Sequence, residues 1–350
     1  MKITVRTKRE RHEFDCERDE RILYAGLRAG IALPYECASG TCGTCKARAR
    51  PGTVEPLWPD APGARSLKGD RGEFLMCQAR ALGDCEMLVP QKVLQPGRGA
   101  DRVPRHFRAT VGRCRIVAPD VMTFALETEQ DAIAFHAGQF VTVRAPGVEG
   151  FRAYSMTNFG SSSLGALEFV VKRKPAGGFS EWLFGVARDG EAVECFGPVG
   201  VATFHPPEDR DLICVAGGSG VAGMLAILRH AGQSGHYERH TVALYFGVRT
   251  FRDVFFLEEL LQELERAGDR LRVTVALSDE SAHEVPADAR GRIEFASGFV
   301  HEVARSGIGA QDTGAIAYVA GPPPMVDATL RVLVADIGLP PDRIRYDKFS

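Results

Sequence analysis

The sequence predicts a multidomain protein of the α+β and α/β classes: a small mixed domain, then an antiparallel β-barrel, then a doubly wound parallel sheet. Three observations support this fold class. The chain has 350 residues, which is enough for two or three domains. Its middle contains short strands separated by Gly/Pro turns, which are typical of a barrel. Its last part alternates apolar strands with helices, which is typical of a parallel sheet.

Composition narrows the class of protein. Hydrophobic residues make up 45% and charged residues 25% of the chain, as in ordinary soluble globular proteins. The first residues include Lys2, Arg6 and Arg11, and no run is long and apolar enough for a signal-peptide core or a membrane span. We therefore expect a cytoplasmic protein without a membrane partner. The net charge of -2 argues against a nucleic-acid partner.

Residues 1–93 are predicted to form the first domain. Alternating apolar residues near its start predict a strand, and Leu23 and Leu27, one turn apart, predict a helix over 21–28. Residues 94–105 combine prolines, glycines and arginines without an apolar period. We therefore expect a linker there.

The first domain contains the most informative stretch of the chain. Cys37, Cys42 and Cys45 follow one another as C-x4-C-x2-C, and Cys77 lies far downstream. This is the ligand spacing of a plant-type [2Fe-2S] cluster, in which two sulfide-bridged irons need four thiolates from opposite sides. Glycines in the loop allow close wrapping and leave backbone N–H groups free to face the sulfurs. We predict a metal site made of these four cysteines.

Zinc binding and disulfide formation are the alternatives for these cysteines. Zinc favours two well-separated pairs of ligands, and disulfides require an oxidising compartment. The other cysteines occur singly, as reduced structural thiols usually do; they are Cys16, Cys85, Cys114, Cys195 and Cys214. These observations favour the iron–sulfur cluster.

The rest of the chain divides into two further domains. Residues 106–207 are predicted to form the barrel, with strands at 109–117, 122–127, 139–144, 152–157, 167–172 and 192–196 and a helix over 178–188. Residues 208–350 are predicted to form the parallel sheet and its helices. The strands are expected at 212–216, 242–246, 271–277 and 316–320, and the helices at 221–230, 253–267, 299–306 and 324–336.

The tetrapeptide Arg152–Ser155, with sequence RAYS, lies in a predicted barrel strand soon after residues 137–140. In this position it resembles the Arg-x-Tyr-Ser signature of the ferredoxin–NADP⁺ reductase superfamily. The resemblance implies that Arg152 neutralises the FAD pyrophosphate, that Tyr154 packs on one face of the isoalloxazine, and that Ser155 hydrogen-bonds near its N5. A bidentate cation, an aromatic face and a small hydroxyl suit these roles.

A second segment with an expected flavin role follows. Lys172 ends a predicted strand, and a helix then opens with Gly177, Gly178, Phe179 and Ser180. Glycines at a helix N-terminus present free N–H groups and the positive end of the helix dipole to a phosphate. In the superfamily this turn holds the pyrophosphate, so the resemblance adds these residues to the cofactor-binding set.

The phosphate loop of the third domain is expected between a strand and a helix, at Gly217, Gly218, Ser219 and Gly220. It does not fit the ordinary G-x-G-x-x-G fingerprint. It resembles instead the Gly-Gly-Thr-Gly-Ile-Ala-Pro loop of the reductase superfamily, with Ser219 for threonine and Gly223 for proline. The N–H donors remain, although the start of the helix lacks the usual proline.

Residues 320–325, AGPPPM, resemble a second nucleotide signature of the superfamily, Cys-Gly-Pro-Pro-x-Met. The resemblance implies that Gly321 and Pro322 bind the nicotinamide nucleotide. Ala320 replaces the cysteine that usually lies beside the nicotinamide. A small residue preserves the space there but supplies no sulfur.

The C-terminal residues complete the expected active site. Superfamily members commonly end in an aromatic residue that covers the second flavin face until nicotinamide displaces it, and Phe349 matches that residue. Asp347 lies near the position of a carboxylate that often hydrogen-bonds the flavin-side serine. The resemblance therefore gives Ser155, Asp347 and Phe349 as catalytic residues. A hydrophobic residue at this position can equally fill a space in the hydrophobic core.

NADH is expected over NADPH. The resemblance places the adenosine ribose beside the segment that contains Arg249, Arg252 and Asp253. Asp253 can accept hydrogen bonds from a 2′-OH and would repel a 2′-phosphate, whereas the two arginines could bind that phosphate. The family resemblance favours NADH.

The order of the three domains covers essentially the whole chain. It resembles the reductase components of bacterial multicomponent oxygenases, such as those of benzoate dioxygenase, soluble methane monooxygenase and toluene monooxygenase. The resemblance implies a β-grasp [2Fe-2S] ferredoxin domain, an antiparallel barrel that binds FAD and a doubly wound domain that binds NADH. Electrons are expected to pass from NADH to FAD to the cluster, and then to an oxygenase or hydroxylase component or an intermediary ferredoxin. We expect a monomer.

Two other functions remain open at this point. A reductase of the same build could serve a cytochrome P450 or a deoxysugar dehydratase. An iron–sulfur redox sensor belongs to a different class, and the intact flavin and nucleotide loops argue against it. Lys46, Arg48 and Arg50 follow the cluster loop directly. We expect them either to attract an acidic acceptor or to protect a strand edge from aggregation.

Overall fold

The protein is described here by a computed structural model that covers residues 1–50, 52–91, 103–128, 133–159, 165–185, 188–287 and 291–349. Most of the predicted linker, residues 94–102, lies outside these ranges. Arg105, its last predicted residue, is already the first residue of a barrel strand, because its backbone pairs with Gly197. The three domains follow one another in the predicted order.

The first domain is a mixed sheet with one helix. Its main sheet has the strand order β2-β1-β7-β3-β5, in which β1 and β7 are parallel and the other neighbours antiparallel; β4 and β6 form a separate pair. The apolar face of helix α1 is buried against this sheet. The elements are β1 Lys2–Arg6, β2 Arg11–Asp15, α1 Ile22–Arg28, β3 Lys46–Ala49, β4 Val54–Pro56, β5 Glu73–Leu75, β6 Ala79–Ala81 and β7 Cys85–Leu88.

The second domain is a six-stranded antiparallel, barrel-like sheet with the order β11-β10-β13-β8-β9-β12. The helix expected over 178–188 ends at Leu183, since Gly185 follows and Arg188 folds back to donate to the Trp182 carbonyl at 2.6 Å. The elements are β8 Arg105–Ala118, β9 Val121–Thr128, β10 Phe140–Arg144, β11 Arg152–Ser155, β12 Ala166–Lys172, α2 Gly178–Leu183 and β13 Ala192–Val199.

The third domain is a parallel sheet with the order β17-β16-β15-β14-β18-β19. Its strands are β14 Leu212–Gly217, β15 Val242–Val248, β16 Leu271–Leu277, β17 Glu294–Ser297, β18 Ile316–Gly321 and β19 Ile344–Lys348. Its helices include α3 Val221–Gln233, α4 Leu257–Ala267, α5 Val300–Gly307 and α6 Pro323–Arg331. The strand order reverses between β14 and β18, and ligands of such sheets bind at this switch point.

The prediction of a helix from residue 253 was wrong at its start. Asp253 ends a short 3₁₀ turn, Phe251–Asp253, and Phe256 has a φ of +64°, so the regular helix cannot begin before Leu257. The helix expected over 324–336 changes after Arg331 into a π-helical turn, Val332–Asp336. In the third domain, strands β17 and β19 were not predicted.

The barrel shares a hydrophobic core with each neighbouring domain. Phe140, Phe151 and Phe196 of the barrel pack into the core of the first domain. On the other side, Ala137 and Phe204 pack with the apolar residues of the nucleotide domain. In the described residues no helix is long and apolar enough to cross a membrane. The three domains are therefore held together by continuous apolar packing within the described chain.

The buried His236 is predicted to make the protein less stable in mild acid. It is 5% exposed and lies edge-on to Phe204, 5.2 Å between ring centroids. Burial lowers the pKa of His236 to about 4 from 6.5. Below about pH 6.5 the imidazole of His236 takes up a proton in the unfolded chain but stays neutral in the native protein. The free energy of unfolding is therefore highest above this pH and falls as the pH drops toward 4.

His236→Phe keeps a ring at this position but removes the titration. Lowering the pH from about 7.5 to about 5 should therefore lower the midpoint of thermal unfolding by a few degrees less in this variant than in the wild type. His12→Phe, on strand β2, is the matched control and should retain the wild-type loss. An unchanged pH dependence in His236→Phe would contradict the assignment.

Candidate functional site

The four predicted metal ligands lie together, three of them in the loop of residues 37–45 and the fourth at Cys77. Cys37, Cys45 and Cys77 are each at most 2% exposed, whereas Cys42 is partly exposed. The Sγ atoms of Cys45 and Cys77 are 3.2 Å apart. The Cys37 Sγ accepts three backbone hydrogen bonds at 3.4 Å, from the N–H groups of Ser39, Thr41 and Cys42.

The surroundings of these thiols suit a two-iron cluster. A hydrogen bond from the Cys42 thiol, together with the neighbouring N–H donors, holds the pKa of Cys37 well below its usual range. Burial, with the Cys45 thiol beside it, raises the pKa of Cys77 far above its usual range, so a thiolate here would need a bound metal to stabilise it. Among the described residues, no three His, Cys, Asp or Glu side chains converge as they would on a single ion. A [2Fe-2S] cluster spreads its four thiolate ligands over two irons.

A segment of residues 57–66 straps the cluster loop from outside. The Gly63 N–H donates to the Gly40 carbonyl at 2.9 Å, and a Cβ at Gly63 would lie only 2.7 Å from the Gly43 nitrogen. Gly40 and Gly43 have φ values of +92° and +80°, which glycine adopts without strain. The loop can therefore wrap closely because three glycines meet there.

The strap also reaches the expected flavin site. The Arg152 guanidinium lies 4.6 Å from the centroid of the Trp58 ring. Its Nη1 donates to the carbonyls of Phe151 and Glu149 at 3.0 and 3.3 Å, and it has no ion pair within the described ranges. Burial lowers the pKa of Arg152. A half-buried arginine without a carboxylate partner fits the pyrophosphate of FAD.

Tyr154 and Ser155 continue the same strand, and both are half-buried. Tyr154 packs on Phe179, 5.0 Å between ring centroids, and burial raises the pKa of its hydroxyl. The Ser155 Cβ lies 3.8 Å from the position that a Cβ on Gly223 would take. The signature strand thus meets the beginning of helix α3, so flavin and nucleotide residues are brought together here.

The glycine turn before helix α2 lies beside Arg152. The hydroxyl of Ser180, which follows this turn, is already hydrogen-bonded. A Cβ at Gly178 would lie 3.8 Å from Nη2 of Arg152, and a Cβ at Gly177 would be 2.8 Å from the Lys174 carbonyl. The Ser180 hydroxyl accepts from the Lys174 N–H at 3.1 Å. Backbone N–H groups are therefore the stronger candidates for phosphate binding than the serine side chain.

Lys172 and Asp253 face each other across the boundary between barrel and sheet. The Lys172 ammonium is 3.3 Å from Asp120 and 3.9 Å from Asp253. Asp253 also accepts from the Thr250 N–H and hydroxyl, at 3.0 and 2.9 Å. Arg249 is exposed and forms no ion pair in the described part of the chain. Any ribose hydroxyl at Asp253 would share the carboxylate with these partners.

The nucleotide loop occupies the switch point of the parallel sheet. A Cβ at Gly220 would lie 2.3 Å from the Ala320 carbonyl, and a Cβ at Gly321 would lie 3.1 Å from the Gly217 nitrogen. Gly218 has a φ of +52°. Helix α3 begins here without a side-chain cap, and its Val221 N–H bonds to the carbonyls of the preceding turn. The positive end of the helix dipole therefore faces a phosphate bound at this loop.

Two further predicted residues stand at the mouth of this crevice. Ser219 is half-buried within the loop, and Pro322 is the exposed N-cap residue of α6. Both belong to loops that follow the carboxyl ends of adjacent strands, β14 and β18. A dinucleotide bound at the switch point would therefore pass between them.

The C-terminal strand joins the third domain to the other two. The Phe349 N–H donates to the Gly321 carbonyl at 3.1 Å, and its ring packs edge-on against Phe140, 5.9 Å between centroids. Asp347 is buried, and burial, with Glu36 nearby, raises its pKa to about 7. The expected hydrogen bond between Asp347 and Ser155 is not among the contacts of the described residues.

The partly exposed ligand Cys42 opens on a cleft between the first and third domains. The cleft has a volume of about 320 Å³ and is lined by Glu36, Thr41, Cys42, Thr44, Pro323 and Lys348. Lys46 and Arg48, the expected basic patch, both pair with Glu73 at 3.5 Å. The single carboxylate of Glu73 offsets one of these positive charges, so the patch, with Arg50, stays positive, and the cleft lies elsewhere along the loop.

Sequence reasoning missed Trp58 and the role of Gly63. The only available signal was an isolated tryptophan in a Pro/Gly-rich segment. Its position over Arg152 depends on how two domains pack, which no local pattern reports.

Three known domain families match successive parts of the chain. Residues 5–82 match the 2Fe-2S iron-sulfur cluster binding domain, residues 109–204 the oxidoreductase FAD-binding domain, and residues 214–331 the oxidoreductase NAD-binding domain. The [2Fe-2S], FAD and NAD cofactors follow from these matches. The β-grasp, barrel and doubly wound architecture is confirmed.

Individual proteins are similar over the whole chain. Ferredoxin–NAD(P)(+) reductase CarAd of Metapseudomonas resinovorans is 35% identical, with 95% of this chain and 96% of that protein covered. The ferredoxin–NAD(+) reductase component of the alkene monooxygenase system of Xanthobacter autotrophicus is 36% identical, with coverages of 96% and 97%.

Solved structures are similar to the same extent. The ferredoxin reductase in carbazole 1,9a-dioxygenase superposes with a TM-score of 0.83 at 32% identity, covering 100% of this chain and 99% of that one. The Amycolatopsis cytochrome P450 reductase GcoB gives a TM-score of 0.78 at 30% identity, with coverages of 99% and 98%.

Cys42→Ser should abolish electron delivery to one-electron acceptors such as cytochrome c while NADH still bleaches the flavin at nearly the wild-type rate. The reason is that the cluster follows the flavin in the chain of carriers. Cys114→Ser, also partly exposed but remote from the cluster loop, is the matched control and should behave as the wild type. Loss of flavin bleaching in a folded Cys42→Ser protein would contradict this order.

Trp58→Ala should weaken FAD binding, because the ring holds the guanidinium of Arg152 in place. A cation–π contact of about 1 kcal/mol corresponds to a loss of roughly fivefold in affinity. FAD dissociation constants measured by flavin fluorescence would show this loss, and Trp58→Phe should recover much of it. Equal FAD affinity in wild type and Trp58→Ala would rule out the role.

Proposed function

This chain belongs to the iron–sulfur flavoprotein reductases, the ferredoxin–NAD(P)⁺ reductase components of oxygenase systems, and on that premise we propose how its residues pass electrons from NADH to an oxygenase. The observation that carries the proposal is the meeting of all three expected sites at strand β19. Phe349 contacts both Gly321 and the barrel residue Phe140. The Tyr346 hydroxyl donates to Glu36, beside the ligand Cys37, at 3.4 Å.

The position of each expected binding residue determines its proposed role. The glycine loop and the positive end of the dipole of α3 bind the nucleotide pyrophosphate, and Gly220 leaves the backbone room to approach Ala320. Arg152 binds the flavin pyrophosphate, Tyr154 supports one flavin face, and Ser155 faces the nucleotide loop. When bound, FAD takes up two electrons as a hydride and releases them singly, as a one-electron cluster requires.

Phe349 is proposed to guard the second flavin face. Its backbone is tied to Gly321 in the nucleotide loop, and its ring is only partly buried against Phe140. A half-buried ring that is anchored through its backbone N–H can move aside when nicotinamide enters. Asp347, two residues before Phe349, is buried and close to Glu36.

The acceptor is proposed to dock at the cleft beside Cys42. Three cluster ligands are buried, so the shortest route for an electron leaving the protein passes the partly exposed fourth. An oxygenase component, or an intermediary ferredoxin, would contact both the cluster loop and the third domain there. The similarity to a cytochrome P450 reductase supports a P450 as the second candidate acceptor.

We also propose that the protein works as a cytoplasmic monomer without a nucleic-acid partner. The contacts between the three domains are made within one chain, which supports a monomer. All nine cysteines are free thiols, which supports a reducing compartment. The net charge of -2 gives no excess of positive charge for nucleic acid.

Purified protein should be red-brown, with about one FAD and one [2Fe-2S] per chain, and should reduce cytochrome c with NADH. Reconstitution with the oxygenase or P450 encoded near this chain, measured as NADH-dependent product formation, tests the acceptor. Zinc in place of iron, FMN in place of FAD, or no transfer to any one-electron acceptor would overturn the function.

Asp253→Ala should reduce the preference for NADH over NADPH, measured as the ratio of kcat/KM values, by roughly fivefold, the effect of about one lost hydrogen bond. Lys172→Met breaks the same ion pair but keeps the carboxylate, so it should retain the preference. If Asp253→Ala keeps the wild-type ratio and Arg249→Ala changes it, the arginine determines nucleotide choice instead.

A further inference from the structure

Tyr24, on helix α1 of the ferredoxin domain, is inserted into an aromatic socket on the barrel. Its ring is fully buried and stacks on Phe196, with 4.1 Å between centroids and 4° between planes. Phe151 meets the same ring edge-on at 5.5 Å, and His106 lies at 5.8 Å. All three socket residues belong to the flavin domain, so this ring is the centre of the contact between the two domains.

The hydroxyl of Tyr24 connects the cluster loop to a barrel strand. It donates to the Ala38 carbonyl at 3.0 Å and is hydrogen-bonded to the Thr142 hydroxyl, also at 3.0 Å. Thr142 lies on β10, where its backbone pairs with Ala153, the residue between Arg152 and Tyr154. One phenol thus bridges the loop that holds the cluster and the strand next to the flavin signature.

Ala38 is the residue of the cluster loop that most needs such support. It follows the ligand Cys37 directly, is 1% exposed, and has a φ of +53°, a region that residues with a Cβ rarely adopt. Non-glycine residues keep this conformation only where their surroundings hold it. The next residue, Ser39, supplies one of the N–H donors to the Cys37 sulfur.

We propose that Tyr24 is a positioning residue for electron transfer: its ring docks the ferredoxin domain on the flavin barrel, and its hydroxyl fixes the Ala38 carbonyl and so the ligand Cys37. This inference rests on the proposed function, because it assumes a cluster at the four cysteines and FAD at the signature strand. Removing the hydroxyl frees Ala38 to leave the left-handed region. The N–H donors then move away from Cys37, which makes the reduced cluster less favourable.

Tyr24→Phe in the holoprotein removes the hydroxyl and keeps the stacked ring, so the variant should fold. Hydrogen exchange of the amides in residues 38–42 should speed up roughly fivefold, as expected for one lost hydrogen bond. The EPR signal of the reduced cluster should shift, its potential should become more negative, and cluster reduction by the flavin should slow. NADH reduction of the flavin should keep its wild-type rate.

Two matched variants separate positioning from stability. Thr142→Val removes the bond between Tyr24 and the barrel, together with the bond of the Thr142 hydroxyl to the Phe196 carbonyl, and keeps the bond of Tyr24 to Ala38. It should therefore slow flavin-to-cluster transfer and leave the EPR signal as in the wild type. Tyr237→Phe removes another buried hydroxyl that donates to a backbone carbonyl, that of Leu228 at 3.3 Å, within the nucleotide domain. It should lower the thermal midpoint without altering the cluster.

The outcomes are distinguishable. A wild-type EPR signal and wild-type exchange at residues 38–42 in Tyr24→Phe would overturn the proposal, as would a lower thermal midpoint with no change at the cluster, the behaviour expected of Tyr237→Phe. If the wild-type protein itself holds no cluster or no FAD, the proposed function fails instead. Partial recovery of the exchange rate in Tyr24→Phe by Ala38→Gly, which relieves the strained φ, would support the mechanism further.

Discussion

The barrel packs against both of its neighbours at once, and the arrangement of the sites depends on this packing. On one side Phe196 stacks on Tyr24 of the ferredoxin domain. On the other side Phe204 packs into the core of the nucleotide domain. Electron transfer between bound carriers falls steeply with distance, so a protein that holds three carriers must fix its domains before any single residue matters. Here buried aromatic contacts meet that requirement, and hydrogen bonds such as that of Tyr24 to Ala38 fix the finer geometry.

The nucleotide crevice shows the same logic at the level of the backbone. Gly220 has no room for a Cβ because the Ala320 carbonyl would lie 2.3 Å from it. Gly217 and Gly321 touch across the two strands that flank the switch point. The small side chain of Ala320, which stands where relatives are expected to carry cysteine, keeps this close approach. Nucleotide binding therefore requires glycine or a small side chain at these positions, as well as residues that contact the nucleotide.

Patterns local in sequence predicted a large part of this protein. The cysteine spacing, the RAYS strand and the glycine loop between strand and helix each lie on the element expected for them, because each motif is short and its geometry is local. Contacts between segments far apart in the chain could not be predicted, even where the residues themselves were. Trp58 over Arg152, Lys172 beside Asp253 and Asp347 next to Glu36 join segments far apart in the chain. The basic patch at Lys46 and Arg48 was likewise visible, but its pairing with the single carboxylate of Glu73 required the sheet register.

The central claim is that the ferredoxin domain stays docked on the flavin barrel while electrons pass to the cluster. Stopped-flow measurement of cluster reduction after mixing with NADH, over a series of protein concentrations and of sucrose or glycerol concentrations, tests it directly. A docked domain predicts a cluster reduction rate that is independent of protein concentration and of solvent viscosity. A rate that falls in proportion to viscosity would show that the domain must move to receive each electron, and would contradict the account.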